Sequence, residues 1–314
     1  MEFWLAPLHG ITNHHFRNCV NRHAGGISVA VTPFLPVQEA AKLNVRKWTD
    51  IQPENNEVSR IIPQLMGNEP AHFVDTVRAL QSLGYQRVNW NIGCPAAQVV
   101  RKQRGCGVMP FPDRVEAVVQ RVTAETDCLF SVKMRLGLRN PREGVEILRR
   151  LQDYPLDFIV IHPRLGVQQY EGSPDWDGLA KCCDSAGKQR IVYSGDIVDL
   201  SSFQRWREAF PQIGTCMLGR GLLRNIFLAE ELCAGTELSR EQRRMRFSKF
   251  YADYVQTMLA QRGPHASLSA LKELWHYFAS FFQLSESQLL HLLRQTDWES
   301  FHQEATAIVS APLD

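Results

Sequence analysis

The chain has no long apolar run. No stretch approaches the ~18 consecutive apolar residues of a membrane span, so no membrane partner is expected. It has no C-x-x-C pair. Its eight cysteines, Cys19, Cys94, Cys106, Cys128, Cys182, Cys183, Cys216 and Cys233, are scattered through segments that read as core. That pattern speaks against a zinc site and against a disulfide framework. It fits reduced thiols in a cytoplasm, and no metal is expected. There is little charge of one sign: 35 Lys and Arg stand against 33 Asp and Glu, a net charge of +2. A claim on nucleic acid must therefore rest on local patches. No G-x-G-x-x-G follows the first strand-like run, which removes support for a doubly wound dinucleotide fold. Met1–Pro7 lacks the basic start and apolar core of a secretory leader. No fixed-period repeat and no low-complexity tract is present.

What is there is an ordinary globular composition, 44% hydrophobic and 22% charged over 314 residues, enough for a large core. Eight strand-like runs follow one another: Glu2–Pro7, Ile27–Pro33, Ser59–Met66, Arg87–Ile92, Cys128–Arg135, Asp157–His162, Arg190–Gly195 and Gly214–Gly219. Helix-compatible segments come after them, near Asn13–Arg22, Ala71–Leu83, Pro112–Glu125, Glu143–Gln152, Trp176–Ala186, Leu200–Ala209 and Leu223–Ala234. Only the second run is followed by an irregular stretch, to about Glu57. Phe158-Ile159-Val160-Ile161 is apolar without interruption, as buried parallel strands are. The pattern predicts a (β/α)8 TIM barrel over residues 1–235.

Residues 236–314 read differently. Arg240 to Lys249 carries five basic residues and one acid, and only helical periodicity follows. Phe247, Phe250, Tyr251, Tyr254, Val255 and Met258 share one face. Leu268, Leu271, Leu274, Trp275, Phe278 and Phe282 share another. Gly263-Pro264 separates the two segments. Ser285 with Gln288 has the form of a capping box, and a last helix is expected from Trp298 to about Val309. These residues are expected to form a small helical domain.

In a barrel of this class chemistry gathers at the C-terminal strand ends. The fourth run, Asn89-Trp90-Asn91-Ile92-Gly93-Cys94-Pro95, alternates and then stops, because Gly93 permits a turn and Pro95 forbids continuation. Cys94 stands at that mouth as a nucleophile, a metal ligand, a general acid or an apolar filler. Gln64, Asn91, Lys133, Arg135, His162 and Arg164 end neighbouring strands. Ser194-Gly195-Asp196 and Gly219-Arg220-Gly221 end the last two, where this fold often binds phosphate. A cofactor with a terminal phosphate is implied, with FMN the obvious candidate. Lys133 suits a flavin ring, whose reduced form is negative near N1.

These motifs, in this order, resemble the dihydrouridine synthase family. Leu5-Ala6-Pro7-Leu8-His9-Gly10-Ile11-Thr12-Asn13 is similar to its L-A-P-M-x-G-V-T-D opening, and Asn91-Ile92-Gly93-Cys94-Pro95 to its N-x-G-C-P element. Gln64, Lys133-Met134-Arg135, His162-Pro163-Arg164, Ser194-Gly195-Asp196 and Gly219-Arg220-Gly221 fall at its other motif positions. The resemblance implies an FMN enzyme that uses NADPH to reduce the C5=C6 bond of a uridine in tRNA. It implies flavin contacts at Pro7, Leu8, His9, Gln64, Lys133, His162, Ser194, Gly195, Asp196, Gly219 and Arg220. It implies substrate contacts at Asn91 and Tyr170, with Cys94 as catalytic acid, and an RNA-binding role for the helical domain. The chemistry agrees: hydride delivered to C6 leaves an enolate that needs a proton at C5, and a thiol supplies one. Arg135, Arg164, Arg101 and Lys102 are further expected substrate contacts. The enzyme is expected to be cytoplasmic and monomeric. Leu271–Phe278, with Tyr170, points to position 16 of the D-loop.

Several positions depart from the family pattern. Its aspartate before the N-x-G-C-P element is Asn89 here, and Ala97-Gln98 stands near its usual lysine. The small-residue loop reads Gly105-Cys106-Gly107, the asparagine before Gly195 is Ser194, and T-E near strand two is Thr32-Pro33. Cys106 is a rival proton donor that ranks below Cys94. Three other readings remain: a dihydroorotate-type reductase of a small molecule, a synthase acting on ribosomal RNA, and a non-catalytic RNA-binding protein on an inherited barrel.

Overall fold

The computed structural model describes residues 1–311, so the end of the expected helical domain, 312–314, lies outside the described residues. The strands are β1 Glu2–Leu5, β2 Ile27–Val31, β3 Leu35–Pro36, β4 Ile61–Ile62, β5 Gln64–Met66, β6 Arg87–Ile92, β7 Leu129–Gly137, β8 Ile159–Leu165, β9 Ile191–Tyr193 and β10 Thr215–Leu218. They form one sheet in the order β3-β5-β6-β7-β8-β9-β10-β1-β2-β4. The pairs β2–β4, β5–β6, β6–β7, β7–β8, β8–β9 and β9–β10 are parallel.

The ends of that order meet at Pro63. Proline has no N–H for the ladder, so the third run divides into β4 and β5 around it. Its carbonyl still accepts Asn89 N–H at 2.9 Å, and Ile62 O accepts Thr32 N–H at 3.0 Å. Thus β4 binds β2 while β5, one residue on, binds β6, and the sheet closes on itself with eight staves. The added β3 pairs only with β5. Trp4, Ala6, Val31, Ile62, Phe158, Val160, Val192 and Met217 pack together as a buried cluster. Trp4 meets Phe158 edge-on at 4.8 Å. Arg87 lies 5.4 Å above both rings and pairs with Asp157 at 2.7 Å.

The helices are α1 His14–His23, α2 Pro70–Ser82, α3 Ala97–Val100, α4 Pro112–Glu125, α5 Pro141–Leu151, α6 Trp176–Ser185, α7 Leu200–Ala209, α8 Arg220–Arg224, α9 Leu228–Ala234, α10 Arg240–Phe281, α11 Glu286–Arg294 and α12 Trp298–Ser310. Proline opens α2, α4 and α5 at the position where its missing N–H has no partner to lose. The expected helix near Leu223–Ala234 divides into α8 and α9. Between β3 and β4 the chain makes short 3-10 turns.

The chain forms two compact units. The first comprises 1–7, 28–196 and 211–217; the second comprises 8–27, 197–210 and 218–314. In the first, α2, α4, α5 and α6 pack side by side. In the second, α10 breaks at Gly263, whose φ of 70° and ψ of 175° are not helical, and Pro264 restarts it. Phe247, Phe250, Tyr254, Leu271, Trp275 and Phe278 are buried along α10, and Trp275 donates to the Tyr251 hydroxyl at 3.2 Å. Phe16 of α1 meets Phe250 and Tyr254 edge-on. Cys19, His23 and Asp253 bring ligand-type atoms within 4.8 Å of one another, and Arg22 pairs with the same carboxylate at 2.9 Å.

Candidate active site at the strand ends of the first unit

The side chains at the ends of β5, β6 and β7 form one connected relay. Asn91 Oδ1 accepts the backbone N–H of both Gly93 and Cys94 at 3.0 Å. Its Nδ2 donates to Gln64 Oε1 at 2.8 Å, and Gln64 Nε2 donates to Asn89 Oδ1 at 2.8 Å. Asn89 Nδ2 donates to Ser131 Oγ at 2.9 Å, whose hydrogen goes to Val88 O at 3.0 Å. Gln64, Asn89 and Ser131 are fully buried. Buried amides are stable only when satisfied in this way, and each unmet group costs about 1–3 kcal/mol.

Asn91 therefore builds the turn that presents Cys94. Two further contacts hold it. Arg135 Nε donates to Gly93 O at 3.1 Å, and Cys94 O accepts Cys106 N–H at 2.9 Å. Gly105, at φ +52°, lies so close that a Cβ there would stand 2.6 Å from Cys94 O. Cys94 is partly exposed, while Cys106 is fully buried and its thiol is pushed up to about 12, chiefly by burial. The rival donor is thus the worse placed of the two.

Lys133 sits beside Asn91 in the β6–β7 register. Burial, and then the nearby charge of Arg135, pull its pKa down to about 8, and no carboxylate is among the groups that shift it. Arg135 is itself buried. Its Nη1 donates to the carbonyls of Leu165 and Gln169 at 2.9 and 2.5 Å, and its guanidinium lies 5.4 Å from the Tyr170 ring. Desolvation lowers its pKa.

Arg164 is more completely engaged. It forks onto Asp196 at 2.9 and 2.6 Å, donates to Glu171 O at 3.2 Å and Gly172 O at 2.6 Å, and meets His162 Nε2 at 3.1 Å. An arginine only donates, so His162 Nε2 accepts, and the imidazole is neutral with its proton on Nδ1. Ser194 N donates to Ile161 O at 3.0 Å. Gly195 has no room for a side chain, since a Cβ would stand 2.1 Å from the Tyr193 hydroxyl oxygen. Tyr170 is half exposed, its ring 6.2 Å from that of His162.

The first unit thus brings together Gln64, Asn91, Cys94, Lys133, Arg135, His162, Arg164, Tyr170 and Ser194–Asp196. Arg101 and Lys102 are exposed on the following loop, which Asn68 pins through the carbonyls of Lys102 and Gln103. Pro7 follows β1. Leu8, His9, Gly219 and Arg220 belong to the second unit: Leu8 N donates to Thr12 Oγ1 at 2.8 Å, and Gly219-Arg220 opens α8. Sequence reasoning missed Ser131 and the role of Asn89. A serine and an asparagine at polar points of apolar strands were the available signal.

The basic segment of α10 is divided by its partners. Arg243 binds buried Glu231 at 2.6 Å, and Arg246 binds Glu230 at 2.6 Å. Arg240 and Arg244 line a cleft of about 700 Å³ with Arg224, Phe281 and Phe282. Arg244 Nη2 is buried there without a hydrogen-bond partner.

The old yellow enzyme from Trypanosoma cruzi superposes with a TM-score of 0.53 over 81% of this chain and 94% of its own, at 12% identity, a likeness of fold. A tRNA-dihydrouridine(16) synthase from Aquipseudomonas alcaligenes is 28% identical over 74% of this chain and 76% of that relative. A probable tRNA-dihydrouridine synthase from Rhodobacter capsulatus is 31% identical over 69% of this chain and 66% of that relative. The dihydrouridine synthase family model matches residues 4–309, so the chain belongs to that family.

Proposed function

We propose that the chain reduces the C5=C6 bond of a uridine at position 16 of the tRNA D-loop, with FMN as resident flavin, NADPH as electron source and Cys94 as proton donor. The observation that carries this reading is the turn Asn91–Cys94. It holds a partly exposed thiol at a strand end, next to a lysine shifted by burial and by no acid. Position 16 is supported by the names of relatives from Aquipseudomonas alcaligenes and Pseudomonas putida.

The residues present fit a flavin. Lys133 is a half-buried cation with no carboxylate among the groups that shift it, suited to a ring that gains negative charge. Gln64 has one N–H and one lone pair beyond its relay bonds. Ser194-Gly195-Asp196 follows β9 without side-chain bulk at its centre. Pro7 adds an apolar contact from the end of β1. A flavin held there would supply the hydride chemistry.

The chain's own residues do the rest. Cys94 gives its proton to C5, and solvent restores the thiol. Asn91 and the remaining Nη2 of Arg135 hold the base, and Tyr170 covers it. Arg164 acts through His162, Asp196 and the 171–172 backbone, because all its N–H groups are directed at protein. A target base must leave its stack to reach such a site, and Arg101 and Lys102 hold the displaced backbone. We assign the catalytic domain to residues 1–235 and an RNA-binding domain to 236–314, in a cytoplasmic monomer.

The test is to delete the gene in its host, map dihydrouridine across all RNA, and restore either the native chain or Cys94→Ala. Position 16 should disappear and return only with the native chain, the variant turning over about 100- to 10,000-fold more slowly. An unchanged map sinks the reading. Loss of a ribosomal site moves the substrate to ribosomal RNA, and turnover of free pyrimidines without RNA favours a small-molecule reductase.

A further inference from the structure

We propose that Cys19, His23 and Asp253 form a site for one divalent cation of the zinc class, which ties α1 to α10 within the second unit. The site does not depend on the function proposed above. It runs against the expectation of no metal that the cysteine spacing gives.

Residues three and four apart on a helix share a face. Phe16, Cys19, Val20 and His23 follow that spacing along α1. Phe16 meets the rings of Phe250 and Tyr254 edge-on, and the His23 ring meets Phe250 in the same way. The face that carries Cys19 and His23 is therefore turned onto α10. Asp253 follows Phe250 by three residues on α10, so it meets that face too. Cys19 Sγ stands 3.5 Å from Phe250 O and 3.7 Å from Asp253 Oδ2. His23 Nε2 stands 2.8 Å from the same carboxylate oxygen. A thiol, an imidazole and a carboxylate thus bring one atom each within 4.8 Å of one another. The carboxylate comes from 230 residues beyond the histidine, so no short ligand spacing announces the set.

The donor set selects the ion. Thiolate and imidazole suit zinc, whereas calcium and magnesium take oxygen. Tetrahedral zinc with bonds of about 2.0–2.3 Å holds its ligand atoms about 3.3–3.6 Å apart. The Cys19–Asp253 separation is already near that range, and the His23–Asp253 pair has to open by only about 0.5 Å. On binding, the ion displaces the Cys19 proton to solvent. His23 gives the Nε2 lone pair and keeps its single proton on Nδ1, and Asp253 gives Oδ2. Thiolate and carboxylate together neutralise the divalent charge. Arg22 forks onto the same carboxylate, Nε to Oδ2 at 2.9 Å and Nη2 to Oδ1 at 3.2 Å. Its side chain is half exposed, so Nε can release Oδ2 to the ion while Nη2 keeps Oδ1 and orients the ligand, as outer partners of metal sites do. Cys19 is buried, while the side chains of His23 and Asp253 are 21% and 31% exposed. The site therefore has an entry path from solvent, and water completes the fourth position.

Zinc alone tests this on the full-length protein. The chain is stripped with a chelator under reducing conditions, equilibrated with Zn2+ and freed of loose ion. The native protein should retain one zinc per chain, with one sulfur neighbour at about 2.3 Å in zinc-edge X-ray absorption. Its melting temperature should rise with Zn2+, because the ion binds the folded chain in preference to the unfolded one. Cys19→Ala should remove the sulfur neighbour and the melting shift. Asp253→Asn should weaken zinc binding about 100-fold or more, since losing an outer partner alone costs ~10–100-fold. His23 is partly exposed, so His23→Gln carries the same test if Cys19→Ala does not fold: it should abolish the melting shift. A native chain that retains no stoichiometric zinc overturns the inference. So does a sulfur neighbour that persists in Cys19→Ala, or a melting shift that persists in His23→Gln. The cluster is then only an ion pair of Arg22 and His23 with Asp253.

Discussion

Around the strand ends of the first unit, position is set by direction. Gln64, Asn89 and Asn91 have one arrangement because the backbone N–H groups of Gly93 and Cys94 can only donate to Asn91 Oδ1, which orients each amide after it. Along α10 of the second unit, position is set by shape. Phe247, Phe250, Tyr251, Tyr254, Trp275 and Phe278 interlock, with rings edge-on, tilted or stacked at about 5 to 6 Å. The difference teaches what each region is able to tolerate. A directional network loses its function when one atom changes sign, with little change in volume. A packed seam is indifferent to sign and sensitive to volume.

Three experiments test that contrast, and the seam carries the largest effect. Trp275 is fully buried and bonded to Tyr251, so Trp275→Ala should lower stability by about 3–5 kcal/mol in denaturant unfolding. A loss below about 1 kcal/mol would mean that the seam does not hold α10 by shape.

Lys133 tests the polar region from the other side. Its pKa falls from an ordinary 10.5 to about 8 through burial. Below pH 8 both folded and unfolded chains hold the proton, and the folded chain bears the penalty of the buried charge. Between pH 8 and 10.5 the unfolded chain binds more protons, so stability must rise with pH. With flavin removed, Lys133→Met should abolish that rise and stabilise the protein at pH 7 by up to ~3 kcal/mol. An unchanged pH slope in the variant would refute the assignment.

The smallest effect concerns the arginines of α10. Arg240 has no carboxylate partner among the described residues, while Arg243 is bound to Glu231. Arg240→Ala should reduce the salt slope of tRNA binding by about 0.7–0.9 for each phosphate that the arginine neutralises. Arg243→Ala should leave that slope alone and destabilise the fold, since Glu231 remains buried without its partner. Equal slopes in the two variants would erase the distinction between paired and unpaired charge.

Much of the fold was legible along the chain because it depends on period and punctuation. Val88, Trp90 and Ile92 alternate in β6, Pro112 begins α4, and Gly263-Pro264 breaks α10 where expected. The division of the third strand at Pro63 and of the eighth helix into α8 and α9 was not legible, because each depends on what the neighbouring backbone bonds to. The same holds for the site. Cys94, Gln64, Lys133 and His162 were legible as candidates from their places at strand ends. The relay among Gln64, Asn89, Asn91 and Ser131 joins three strands, and no local pattern announces it. The basic run Arg240–Lys249 read as uniform charge, and only the positions of Glu230 and Glu231 divide it into paired and unpaired groups.

The sequence by itself determined the alternation of strands and helices, the turn at Gly93-Cys94-Pro95 and the family. These follow from backbone stereochemistry and side-chain periodicity, which act over a few residues. Tertiary structure alone decided which amide faces which, which thiol is buried, and which arginine is already neutralised. Those outcomes depend on hydrogen-bond direction and on desolvation, and both are set by atoms brought together from distant parts of the chain.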